Sequence, residues 1–228
     1  MELIIIIVAI ISIIIIHYLM KCNLRELEKI ATNNELNIIA EKYPANIEIC
    51  KTILKKLNNE NVKIEEDQNS NSTLYLAIQD KITIGNTRKS YTRIQTMAHE
   101  CLHSIQDKKI LIFNVIYSNI YLLYFVLISI LVILKKLQNE LVFSNILLIL
   151  SLIYYTIRIY LENDAMIKAE YLAKEYMEGE NISTKSEIEK IANSFKVLNN
   201  GAIKATNCQI FINIMIKVVI FNTLALIF

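Results

Sequence analysis

Four long apolar runs limit what this chain can become more than any other feature. They are Leu3–Met20, Ile110–Leu134, Leu141–Leu161 and Gln209–Phe228. The first two carry no formal charge; Arg158 near the end of the third and Lys217 near the middle of the fourth are the exceptions. Even 18 residues rise roughly 27 Å as a helix, which crosses a slightly thinned bilayer. Apolar types make up 54% of the 228 residues and charged types only 20%, a balance that a soluble domain of this size rarely shows. The expected fold is an α-helical integral membrane protein with about four transmembrane helices and a small soluble α+β part. The chain then divides into an N-terminal anchor (1–20), a soluble α+β region (21–109), a transmembrane hairpin (110–161), a helical region (162–208) and a C-terminal transmembrane helix (209–228). Only Met1 and Glu2 precede the first run, and no small-residue cleavage site precedes Lys21, so this run reads as an uncleaved anchor.

Composition removes several classes of function. Gly85, Gly179 and Gly201 are the three glycines and lie far apart, which excludes a dinucleotide fingerprint, a P-loop and a nucleophile elbow. Net charge is +2 with no basic block, so nucleic acid is not an expected partner. Cys22, Cys50, Cys101 and Cys208 are too dispersed for a disulfide framework or a thiolate metal site. The lipid bilayer is the expected surrounding. Lys21, Arg25 and Lys29 after the first run, and Lys108 and Lys109 before the second, place 21–109 in the cytoplasm by the positive-inside rule, against which Lys135 and Lys136 argue.

Between the runs, Asn23–Ala40 reads as a helix, and Pro44 opens another reaching about Leu57. Val62–Glu65, Thr73–Ala77 and Lys81–Ile84 read as strands, with a turn at Gln79-Asp80 joining the last two. A helix from about Thr92 to Asp107 leads into the second run. Beyond the third, a helix to about Met177, a polar loop around Gly179 and a helix from Ser186 to about Asn199 are expected, with Gly201 as its C-cap.

The chemistry is concentrated in His99-Glu100-Cys101-Leu102-His103. Positions i and i+4 lie about 40° apart around a helix, so both imidazoles face one ion, as tetrahedral Zn2+ requires. Glu100, about 100° around, can flank the ion without binding it and act as general base on an activated water. With three His and 18 Glu in the chain, chance gives a His-Glu-x-x-His somewhere with odds of roughly 0.002. Cys101 points away from such a metal and reads as packing, not as a nucleophile.

A third ligand must come from elsewhere, and Cys, Asp, Glu and His17 are the available types. His17 lies deep in the first run and reads as a packed or snorkelling residue. Glu162 is favoured because two spans separate it from His103, returning both to one membrane face. Glu162 shares its helix face with Ala165, Met166 and Ala169, which permit close helix approach. Its plainer role is an Arg158–Glu162 surface pair. Asp164 is either an orienting group, a helix cap or a solvated acid. Lys217 is read as facing other helices or a thinned rim.

At these residues the chain resembles the membrane-embedded neutral zinc metallopeptidases of the YugP type. Their Ala-His-Glu-x-Gly-His-x-x-Gln pattern is matched by Ala98-His99-Glu100-Cys101-Leu102-His103-Ser104-Ile105-Gln106 except at Leu102. Their Glu-Phe-Asp-Ala segment, two spans later, is matched by Glu162-Asn163-Asp164-Ala165. Lys196–Asn199, Ile53–Glu65 and Lys81–Gly85 match more loosely. HtpX-type membrane proteases share the plan but typically carry Asp directly after the alanine, where Met166 stands here. The resemblance implies a zinc metalloendopeptidase of a bacterial cell membrane, with His99, His103 and Glu162 as metal ligands and Glu100 as base.

The expected function is hydrolysis of peptide bonds in a peptide or protein substrate, through a zinc-activated water on the cytoplasmic face. Lys81–Ile84, read as an edge strand, would hold an extended substrate. Tyr91, Tyr171 and Tyr176 are candidates to stabilise the oxyanion, none preferred. The rival is a non-catalytic membrane scaffold or metal-binding regulator descended from a peptidase; Leu102 favours it and Glu100 opposes it. Intramembrane proteolysis is disfavoured because Gln95, Gln106, Asp107 and Lys108 bracket the motif, and transport because the spans hold few ionisable groups.

Overall fold

The computed structural model describes residues 1–20, 24–86 and 90–228; Lys21, Cys22 and Asn23 lie outside them. In chain order the elements are α1 (Glu2–Met20), α2 (Leu24–Ala31), α3 (Asn34–Glu41), α4 (Asn46–Lys56), β1 (Lys63–Glu66), β2 (Leu74–Leu76), β3 (Lys81–Ile84), α5 (Arg93–Ile105), α6 (Lys108–Ile133), α7 (Glu140–Glu180) and α8 (Lys185–Ile227). The chain is mostly helical. Among the described residues, four helices, α1, α6, α7 and α8, are long and apolar enough to cross a membrane. Two compact units result. One draws on the described parts of Met1–Cys22, Phe113–Tyr160 and Lys204–Phe228, the other on those of Asn23–Ile112 and Leu161–Ile203.

The apolar unit has its own core, including Tyr121, Ile128, Val132, Leu147, Ile214, Val218 and Phe221. Its outer face exposes Ile4, Ile7, Leu123, Leu127, Ile149 and Ile220, a surface suited to lipid and not to water. Two pairs of polar side chains inside it bond across helices. Ser144 Oγ and Asn222 exchange hydrogen bonds of 3.0 and 2.8 Å, and the Tyr121 and Ser151 hydroxyls lie 2.9 Å apart.

The α+β unit is built around α5. Ile49, Cys50, Ile53 and Leu54 of α4 share one core with Ile94, Met97, Ala98 and Cys101 of α5 and with Ala165, Ala169 and Ala173 of α7. Arg93, at the start of α5, ties this helix to the α3–α4 connection. Its guanidinium donates to the carbonyls of Ala40 (2.9 Å), Tyr43 (2.7 Å) and Pro44 (2.8 Å) and to Asn46 Oδ1 (2.8 Å), all but the Pro44 bond fully buried. Arg93→Met removes these four bonds and desolvates acceptors it no longer satisfies. A loss of about 2–4 kcal/mol is expected, read as an earlier midpoint in chemical unfolding of the detergent-solubilised protein.

The sheet has the order β1-β3-β2, with β1 parallel and β2 antiparallel to β3. Lys81–Ile84 is therefore the central strand and not the edge strand expected from sequence. Its Ile82 and Ile84 are buried, and the edge strands of this sheet are β1 and β2. Gly85 follows β3 where the chain passes close to residues 70–72: an added Cβ would meet Ser72 O at 2.6 Å and Ser70 O at 2.8 Å.

Several helix boundaries differ from expectation for identifiable reasons. The helix expected over Asn23–Ala40 is split, because Asn33 Oδ1 accepts the Leu36 N–H (3.2 Å) and starts a new helix. Pro44 stands two residues ahead of α4, which begins at Asn46. The α5 helix stops at Ile105, since Gln106 is extended, and Asp107 Oδ1 accepts the Lys109 N–H (2.8 Å) to open α6. The third run and the helix after it are one element, α7, because nothing at residue 161 interrupts the backbone. Gly201 is no C-cap: it lies inside α8, where an added Cβ would collide with the Leu27 side chain.

Candidate metal centre

One turn of α5 separates His99 from His103. Their rings meet edge to face with centroids 4.5 Å apart, and their Nε2 atoms are 3.0 Å apart. Glu162, on α7, brings Oε2 to 3.6 Å from His99 Nε2 and 3.8 Å from His103 Nε2. These three residues form a group that could hold a metal ion. Ligands at 2.0–2.1 Å around a tetrahedral ion stand about 3.3 Å from one another, so the three separations need only small adjustment. Ala165 and Ala169, on the Glu162 face of α7, are fully buried, and their small size lets α7 approach the core this closely.

The surrounding hydrogen bonds fix how His103 presents itself. The Gln106 side-chain amide donates to Leu161 O (2.8 Å) and to Asp164 Oδ2 (3.1 Å). Its oxygen is then the atom that faces His103 Nδ1 at 2.8 Å, and it can only accept. His103 therefore carries its proton on Nδ1 and turns the Nε2 lone pair toward His99 and Glu162. Two ring nitrogens 3.0 Å apart require a proton or a cation between them. An outer group that orients a ligating imidazole is the usual support of a metal site. Asp164 is thereby an orienting group, and its other oxygen accepts from Lys168 (2.6 Å). Burial opposes its ionisation, but the Lys168 and Gln106 hydrogen bonds outweigh this and hold its carboxyl below the usual range.

Gln106→Leu should leave the three donors in place but free the His103 ring. Affinity for a metal ion is expected to fall about 10- to 100-fold, as measured with Zn2+ as probe by competition with a chromogenic chelator.

Glu100 stands beside the three donors, with Oε1 3.9 Å from His99 Nε2. Its Oε2 accepts the backbone N–H of Tyr75, in β2, at 2.6 Å. Only 7% of Glu100 is exposed. Burial pushes its carboxyl above the usual range, and the neighbouring His99 and His103, with the Tyr75 N–H, oppose that rise. For His103 burial pulls the pKa down, but the nearby Glu162 and Glu100 carboxylates and the Gln106 contact outweigh it and leave it raised. The donors are not sealed in: the His99 side chain keeps 20% of its surface exposed.

The other residues singled out in the sequence take plainer places. Cys101 Sγ is buried 3.5 Å from Cys50 Sγ, and that contact, with burial, pushes the thiol well above its ordinary range. A protonated, enclosed thiol is no nucleophile. Leu102 belongs to the core. Tyr91 and Tyr176 are core residues, the former facing Ser194 Oγ at 3.2 Å, while Tyr171 is exposed. His17 is an exposed side chain of α1. The Tyr75 contribution had no signal in the sequence, because a backbone N–H is not written in a side chain. Gln106 had one, its fixed spacing after His103.

Comparison of the chain with protein-family models, with curated proteins and with solved structures yields no significant match.

Proposed function

We propose that this chain is a membrane-anchored zinc metalloendopeptidase and that its α+β unit is zincin-like. The observation that carries this reading is the convergence of His99, His103 and Glu162 beside a buried glutamate that is not one of the three donors. Two imidazoles and one carboxylate are the donor set of one class of catalytic zinc sites, which keep an open position for water or substrate. A zinc ion bound there would supply a Lewis acid that polarises a carbonyl oxygen and acidifies water.

The chain's own residues do the rest. Glu100, held by the Tyr75 N–H, takes a proton from the attacking water and gives it to the leaving amine. Gln106 and Asp164 keep the His103 ring in one tautomer and orientation. β2, an edge strand whose Tyr75 N–H is already taken by Glu100, is, rather than β3, the strand beside which an extended peptide would lie, next to the base. The lysines flanking 21–109 support a site on the cytoplasmic side, with Lys135 and Lys136 opposing it.

The test is zinc content of the freshly purified, folded protein in detergent. About one ion per chain is expected. A folded wild type that binds none under saturating zinc would remove the peptidase reading.

A further inference from the structure

Lys217 is an intramembrane feature independent of the metal centre. It lies in α8 with twelve uncharged residues before it (205–216) and eleven after it (218–228). At about 1.5 Å per residue, each flank covers roughly 16–18 Å, about half of a hydrocarbon core. A headgroup phosphate at that distance is beyond the reach of a lysine stem. Within the apolar unit, the Nζ atom sits 5.3 Å from the centre of the Tyr121 ring and donates to Asn213 O at 3.4 Å. Among the described residues no carboxylate pairs with it. A cation over a ring, with one strained carbonyl contact, recovers less than a charge costs at mid-bilayer.

A second copy of this chain cannot supply the missing partner, because its apolar runs contain no Asp or Glu. Burial is only partial, so the ammonium remains reachable from the side. We infer that Lys217 is a docking point for a transmembrane segment of another protein that carries a carboxylate near its middle. Charge complementarity selects that occupant: an apolar span gains nothing from Lys217, whereas an acidic one loses its own desolvation penalty there.

The test uses the full chain, labelled with a fluorescent donor, in neutral phosphatidylcholine vesicles. The probe is an acceptor-labelled, leucine-rich single-span peptide with one central Asp, compared with the same peptide carrying Asn. Energy transfer should show at least tenfold tighter association of the Asp peptide. Lys217→Met should reduce that preference to none, and Lys217→Arg should keep it. Equal association of the Asp and Asn peptides with wild type, which needs no variant to fold, overturns the inference. So does a preference that survives Lys217→Met, or one abolished by adding anionic phosphatidylglycerol, which would make a lipid headgroup the occupant. The readout is association, so it stands or falls apart from hydrolysis.

Discussion

Glu100→Gln is expected to cut peptide turnover by about 10²- to 10⁴-fold while zinc stays bound. Glutamine has the same shape, and its carbonyl oxygen can still accept the Tyr75 N–H at the position that the Glu100 carboxylate now holds. Removing a buried charge should not unfold the α+β unit. What is lost is the ability to take a proton from water. The measurement is paired: metal content by elemental analysis, and cleavage of a fluorogenic peptide library by wild type and variant. Full turnover in a zinc-loaded Gln variant would leave the chain a metal-binding scaffold, or move the base elsewhere.

The second large effect concerns the ion itself. His99→Ala and Glu162→Ala are each expected to bring zinc content from about one per chain to near zero at micromolar free metal. Each leaves only two protein donors, and structural and catalytic zinc sites alike use at least three. Glu162→Ala is the more informative, because Glu162 reaches the site from a different helix, 59 positions after His103. Zinc retained there, with His99→Ala empty, would assign the third donor to another residue. Helical content by circular dichroism separates loss of metal from loss of fold.

The sequence carried the centre further than it carried the fold. His99 and His103 are four residues apart, and a helix leaves such a pair no choice but to share a face. Glu162 was reachable by counting spans and by noting its alanine neighbours, Ala165 and Ala169. The sheet order was not reachable this way. Each strand was visible locally, but β1 pairs with β3 across the whole of β2, and that long-range choice makes Lys81–Ile84 central. Helix ends failed where composition changed without a backbone reason. The shift from apolar to charged residues near 161 looks like a boundary, yet a helix needs Pro, Gly or a competing cap to stop, and α7 has none there. At Gly201 the missing side chain serves contact with Leu27 and not termination. Asn33 is of a residue type that starts helices, and its side-chain bond to the Leu36 N–H is what divides the stretch in two.

The way α5 is held has a consequence for how such a centre lives in the cell. Its donors ride on two helices fixed by Ile94, Met97, Ala98, Ala165 and Ala169, by the Arg93 guanidinium, and by a Gln106 side chain bonded to both helices. None of these attachments passes through an ion. The unit is thus unlike small metal-nucleated domains, whose folding free energy is their metal affinity. A metal ion held there could leave and return within the lifetime of one folded molecule, and the supply of free metal, rather than fresh synthesis, would set how many copies carry it at a given moment.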